Sequence, residues 1–264
     1  MNDQPCTVKD AQKVMLAILL EFDRICQKHS LVYWLDFGTL LGAKRYKGFI
    51  PWDDDLDVGM PKEDYEKFLH IAESELDNRY FLQTRKRDKY YRNFFAKIRD
   101  RNSLLIDKWE KERHIKYHQG IYIDIFPAMR VSKKSLESPL FRGLVYLSKL
   151  THNRYIHLDI LTSLLIRAVN AFEDKKGHYL ISSGETMHYL KPVKTEDFFP
   201  LQKILFEGLE LPAPKNETIY LKAIFGDQFM VPPVPEKRIS HSQSIYLNKK
   251  CYKEVENEAD SCCS

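Results

Sequence analysis

Apolar residues recur at helical spacing near the start of the chain. Val14, Ile18, Phe22 and Ile25 form one stripe, with Ala11, Met15 and Leu19 beside it. Residues three and four apart share a helix face, so this pattern predicts a packing helix over about 9–29. Thr7-Val-Lys-Asp10 has the form of a capping box at its start. Further on, the pattern predicts a strand at 31–37, a short helical turn at 38–46 and a strand at 55–60. Pro61, at a first helical position, opens a helix to about Leu76 that turns Tyr65, Phe68, Leu69 and Ala72 inward. Strands are expected at 80–84 and 94–99, joined by a basic and aromatic turn at 85–92. In 120–127, Ile121, Ile123 and Ile125 share one strand face, and Asp124 lies on the other between Tyr122 and Phe126. Segments 140–150 and 156–172 read as apolar helices. A strand at 203–206, a helix at 217–223 and a proline-terminated turn at 225–233 follow. The fold class is therefore α+β, a mixed β-sheet flanked by helices. Residues 1–131 form the core, 132–190 a helical insert or subdomain, 191–241 a part completing the core, and 242–264 a polar tail.

One stretch departs from ordinary patterning: Asp53-Asp54-Asp55-Leu56-Asp57-Val58. In an extended strand Asp53, Asp55 and Asp57 would share a face, while Leu56 and Val58 turn into a core. Carboxylates crowded on one face repel, and a divalent cation relieves them best. Oxygen ligands without a nearby His/Cys cluster favour Mg²⁺ or Mn²⁺ over Zn²⁺. An acidic run is usually a solvated turn. The apolar frame of Ile50-Pro51-Trp52 and Val58-Gly59-Met60 argues for a built site instead. Upstream, 35–40 reads as a strand ending in Gly38-Thr39. Glycine allows close backbone approach to a phosphate, and the hydroxyl and N–H groups that follow can donate to it. Asp124, alone in an apolar strand, is costly to bury unless paired or bound to metal.

Candidate counter-charges are Arg45, Lys97 and Arg99. Lys97 and Arg99 share one strand face, which is either an edge guarded against aggregation or a phosphate contact. Guanidinium forks grip phosphate through two parallel bonds, favouring Arg45 and Arg99 over Lys97 as orienting groups. Lys237, Arg238 and His241 are either solvated charges or a lid over a phosphate.

The chain carries 41 Lys plus Arg against 37 Asp plus Glu, a net charge of +4, too mild to indicate nucleic acid. Its five cysteines form no spaced metal pair and no disulfide framework, so a reducing cytoplasm is expected. The N-terminus has no apolar signal region, and no run approaches the ~18 apolar residues of a membrane span. A basic amphipathic helix can lie in a membrane interface. In 140–172 the charges are sparse and the apolar face broad, so core packing is the first expectation, with peripheral contact at the inner membrane face the second.

Taken jointly, 38–45 and 49–58 resemble the LicD family, which includes the fukutin-type proteins. They also resemble the nucleotidyltransferase-fold site plan of an apolar residue, Gly-Ser/Thr, a gap, then Asp-apolar-Asp-apolar. Asp-x-Asp alone would be a weak signal, since glycosyltransferases use it too. The resemblance continues through 95–99, 120–127, 206–208, 220–221 and 226–233, covering about 10–241, and is weakest across 132–190. The family often has paired histidines where this chain has His241-Ser242. The resemblance implies a nucleotidyltransferase-like sheet with Asp124 as its third carboxylate. It implies transfer of phosphocholine from CDP-choline to a hydroxyl of a cell-surface glycan of lipopolysaccharide or teichoic acid type, with CMP leaving; fukutin-type relatives move a polyol phosphate. Asp55, Asp57 and Asp124 would bridge metal ions, Asp53 would add a ligand or orient one, and Asp124 would accept the acceptor's proton. Two other readings stay open: a nucleotidyltransferase that releases pyrophosphate, and a non-enzymatic binding module. The second is disfavoured because all three carboxylates are present.

Overall fold

The computed structural model describes residues 6–107, 116–151, 159–182, 191–238 and 242–247. Helix α1 (Val8–Lys28) starts at the expected capping box: Thr7 and Asp10 satisfy each other's backbone N–H groups. It buries Met15, Ile18, Leu19, Phe22 and Ile25 completely. The Phe22 ring meets Tyr33 and Phe68 edge-on, which ties α1 to α3 (Lys62–Glu75).

The main sheet runs in the order β1 (Trp34–Leu35), β2 (Asp57–Pro61), β6 (Tyr122–Val131), β4 (Ala96–Asp100) and β3 (Tyr80–Gln83). Among the described residues only β2 and β6 pair in parallel; the other pairs are antiparallel, so the sheet is mixed as expected. The long β6 is buried on both faces. Phe126 meets the Phe37 ring of α2 (Phe37–Tyr46), which leaves the isoleucine face of β6 to α1 and α3.

The strand expected at 31–37 shortens to two residues. The Asp36 carboxylate accepts the Phe37 N–H (2.9 Å) and starts α2, so Gly38 and Thr39 lie in the first turn of a helix and not at the end of a strand. The metal-side strand is also shorter than expected. Residues 53–56 are not in β2, because the chain turns at Pro51-Trp52 and the Asp53 N–H closes onto the Ile50 carbonyl at 3.0 Å.

The segment after β6 carries three helices, α4 (Lys133–Glu137), α5 (Pro139–Thr151) and α6 (Asp159–Asn170). Phe141 and Val169 pack with Met129, Val131 and Ile181 in a second small core. The same segment supplies β7 (Tyr179–Ser182), which pairs with the far half of β6 and with β8 (Val193–Lys194). After α7 (Thr195–Phe198) comes a hairpin of β9 (Gln202–Phe206) and β10 (Leu209–Ala213), then α8 (Glu217–Phe225).

Residues 242–246 are not a polar tail. As β11 (Ser242–Tyr246) they pair antiparallel with β5 (Leu104–Asp107), and Ile245 is buried. Ile245 is the main apolar signal in that stretch, too little to mark a strand by alternation. Among the described residues no helix is long and apolar enough to cross a membrane.

Candidate active site

Strand pairing sets three charged residues in one row. Asp57 on β2 is opposite Asp124 on β6, and Asp124 is opposite Lys97 on β4. Directly opposed residues point to the same side of a sheet. Lys97 Nζ lies 2.5 Å from Asp124 Oδ1, an ion pair whose alignment falls short of a hydrogen bond. The same ammonium sits 3.4 Å from the centre of the Tyr122 ring. Both charged side chains are nearly buried.

Backbone contacts hold the row. The Thr39 hydroxyl accepts the Asp57 N–H (2.7 Å), the Asp57 carbonyl accepts the Asp36 N–H (3.0 Å), and the Asp124 N–H donates to the Leu56 carbonyl (2.7 Å). The start of α2 runs against the carboxylates. A Cβ on Gly38 would stand 3.1 Å from Asp53 Oδ2 and 3.7 Å from Asp57 Oδ2, so a side chain there would crowd the Asp53 carboxylate.

The electrostatics of the cluster are unfavourable without a cation. Burial pushes Asp53 up to about 9, helped by Asp55 and Asp54. Burial also carries Asp57 well above the usual carboxylate range, reinforced by Asp55, Asp124 and Asp53. Burial raises Asp124 too, while Lys97 pulls it the other way. The Lys97 ammonium, with a smaller pull from Arg99, thus opposes four carboxylates that repel one another at low dielectric. The donor set fits a hard divalent cation: carboxylate oxygens with no thiol or imidazole among them. Among the described residues no three acidic, thiol or imidazole groups already stand as a finished ligand set.

The expected basic contacts divide. Arg99 is 1% exposed; Nε donates to Gln83 Oε1 (2.6 Å) and Nη1 to the Gly120 carbonyl (2.8 Å), and the guanidinium lies over Tyr122. It locks β4 to its surroundings and faces no solvent. Arg45 joins the end of α2 to the turn after α8, donating to the carbonyls of Phe229 and Val231. Lys237 and Arg238 are exposed, and the Arg238 guanidinium sits 4.3 Å over the Trp52 ring, at the edge of the acidic loop. His241 lies outside the described residues. Thr39 is 4% exposed, and its hydroxyl is engaged with Asp57.

Three supporting residues escape a reading by motif. Gln12, on the buried side of α1, donates from Nε2 to the carbonyls of Ile50 (3.0 Å) and Asp53 (2.9 Å), clamping the acidic loop at both ends of its turn. A glutamine inside an apolar helical stripe was its one sequence signal. Asp54 is buried and accepts the Ser242 N–H, fastening β11 to the loop. Asp36 accepts from the Tyr220 hydroxyl, and burial raises it to about 6. Gln12→Leu removes the side-chain donor to both carbonyls; the Ile50 carbonyl keeps the Asp53 N–H, whereas the Asp53 carbonyl loses its Gln12 donor, and stability should fall by roughly 1–3 kcal/mol. Denaturant titration measures that loss, and unchanged stability would remove the clamp.

Residues 30–142 match the family model described as LicD/FKTN/FKRP, nucleotidyltransferase domain. This stretch is a LicD-family domain. The LicD-type domain contains the whole row of Asp57, Asp124 and Lys97, as well as Asp53, Asp55 and Arg99, whereas Gln12, Lys237 and Arg238 fall outside it. The chain is similar to the lipopolysaccharide cholinephosphotransferase LicD of Haemophilus influenzae, 26% identical over 273 residues, spanning 91% of this chain and 98% of that protein. It is also similar to human ribitol 5-phosphate transferase FKRP, 35% identical over 81 residues, covering 29% of this chain and 16% of that protein. An uncharacterized Rickettsia typhi protein, RT0683, is 43% identical over 54 residues, 20% of this chain and 18% of that protein.

Proposed function

We propose that the protein is a cation-dependent transferase. It moves a phospho-substituted group, phosphocholine from CDP-choline, onto a hydroxyl of a cell-surface glycan of lipopolysaccharide type, or of teichoic acid type. The observation that supports this reading best is the registered pair of Asp57 and Asp124 inside the LicD-type domain. The similarity to a lipopolysaccharide cholinephosphotransferase along nearly its full length supports the transferred group and the acceptor class.

Phosphoryl-type transfer asks a protein mainly for positioning and charge neutralisation. Asp53, Asp55, Asp57 and Asp124 would hold Mg²⁺ or Mn²⁺. When bound, that cation neutralises diphosphate charge and polarises the phosphoryl oxygens. An acceptor oxygen forms a new bond to the phosphorus of phosphocholine as the bond to the CMP phosphate oxygen breaks. We assign the acceptor's proton to Asp124, whose carboxylate neighbours Asp57 in the row. Lys97 holds Asp124 in place and opposes the upward pull of burial on its carboxyl. Gly38 leaves room for the donor against α2, Thr39 fixes the backbone of Asp57, and Arg99 fixes β4. Lys237 and Arg238 are assigned to the donor's rim, where Arg238 already meets Trp52, and His241 is assigned to donor binding by the sequence alone.

The test incubates the full chain with CDP-choline, other CDP-linked donors, Mg²⁺ and lipopolysaccharide. Formation of CMP that stops on chelation is the expected result. Release of pyrophosphate would replace this reading with nucleotide transfer, and full turnover in excess EDTA would remove the cation from it.

A further inference from the structure

The helical hairpin of α5 and α6 buries one apolar side and leaves another bare. Phe141 and Val169 face the second small core, as the first expectation for this segment required. On the outside, Leu140, Tyr146, Leu147, Ile160, Leu161 and Leu164 are all exposed, Ile160 to 80% and Leu140 to 64%. Large apolar side chains gathered in this way mark a surface that something covers.

Charge selects the occupant. Residues 133–170 hold six Lys/Arg (Lys133, Lys134, Arg142, Lys149, Arg154, Arg167) against Glu137 and Asp159. That excess of four cations equals the net charge of the whole chain, +4, so the rest of the sequence balances to zero. Lys133, Lys134, Arg142 and Arg167 are exposed. On α5, Arg142 lies one turn from Tyr146, and on α6, Arg167 lies one turn from Leu164, so cations border the apolar ridge. A second copy of the chain would set one basic hairpin against another. An anionic surface with apolar depth complements both features.

Length selects the mode. Helices of 13 and 12 residues extend only about 20 Å, short of the ~30 Å hydrocarbon core of a bilayer. They can lie in the interface but not cross it. We propose that the α5–α6 hairpin docks the protein on an anionic bilayer surface, with the leucine and isoleucine ridge at the acyl boundary and the basic residues among the headgroups.

The test is co-sedimentation of the full chain with vesicles of phosphatidylcholine alone and mixed with phosphatidylglycerol. It reads partition and needs no turnover, so it stands apart from the transferase reading. Binding to the mixed vesicles, weakened by salt, is expected. Leu140→Gln/Ile160→Gln/Leu164→Gln should abolish it with an unchanged thermal melt, since these side chains are exposed. Leu205→Gln, an exposed apolar position on β9, should bind like the original protein. Each of Lys133→Gln, Lys134→Gln and Arg142→Gln should weaken binding about fivefold, near 1 kcal/mol per charge. No binding to anionic vesicles overturns the proposal, as does full binding by the folded triple glutamine variant. A dimer that this variant dissolves, without vesicle binding, would assign the ridge to self-association instead.

Discussion

Asp57→Asn should lower turnover by about a thousandfold, in the range lost when one preorganised electrostatic contact is removed from an active site. It should do so without unfolding the protein. The side chain keeps its shape, and the backbone contacts to Thr39 and Asp36 do not involve the carboxylate. Stability should move the opposite way. Asp57 has its folded proton affinity raised by burial and by Asp55, Asp124 and Asp53. The stability it contributes is therefore complete below the ordinary value of 3.8 and is lost as pH rises through the raised folded value. At neutral pH without divalent cation, the asparagine variant should melt above the original protein. Added Mg²⁺ should stabilise the original protein and not the variant. An active but destabilised variant would remove Asp57 from the site and leave it a structural carboxylate.

The sequence reading located the elements better than it located their neighbours. Alternation in 120–127 set Asp124 on the face opposite the isoleucines, and the structure keeps it there, next to Asp57. What alternation cannot supply is register between strands distant in the chain, which determines that Asp57, Asp124 and Lys97 meet in one row. The sequence predicts a strand at 55–60 and, if the chain were extended from 53, a shared face for Asp53, Asp55 and Asp57. The strand begins only at Asp57, because the chain turns at 50–53 and Gln12, about forty positions earlier, holds the Ile50 and Asp53 carbonyls that border the turn. Arg99 is marked by the sequence as a phosphate contact because a guanidinium fork grips phosphate and because the LicD resemblance runs through 95–99. It is buried because Gln83 and the Gly120 carbonyl, both supplied by long-range folding, satisfy its donors. The β5–β11 pair is hidden for a related reason: Leu104-Leu105-Ile106 is apolar without alternation and β11 carries little apolar pattern, so neither marks itself as a strand without its partner.

Lys97→Met should separate two roles for Asp124 that the sequence left joined. Removing the ammonium leaves a buried carboxylate beside Asp57 with its nearest cation gone. Breaking one side of a buried pair costs roughly 3–5 kcal/mol. The loss should depend on pH with a definite sign. Asp124 is already raised above 3.8 by burial, and without Lys97 it rises further, because the pull that opposes burial is lost. Its contribution to stability is complete below 3.8 and disappears as pH rises through the folded value, so the penalty of the variant should be small in acid and grow toward neutral pH. Lys97→Met/Asp124→Asn should recover most of the loss and flatten the pH dependence, because the unpaired charge is gone. Mg²⁺ then decides the role. If Asp124 binds the cation, Mg²⁺ replaces the missing positive charge and should raise the melting temperature of Lys97→Met by more than it raises that of the original protein. If Asp124 serves only as the partner of Lys97, Mg²⁺ should leave the variant as unstable as before, and Asp124 would leave the cation site while the ion pair remained as packing. Thermal melts of the three proteins across pH, with Mg²⁺ and with EDTA, distinguish the two outcomes without any assay of turnover.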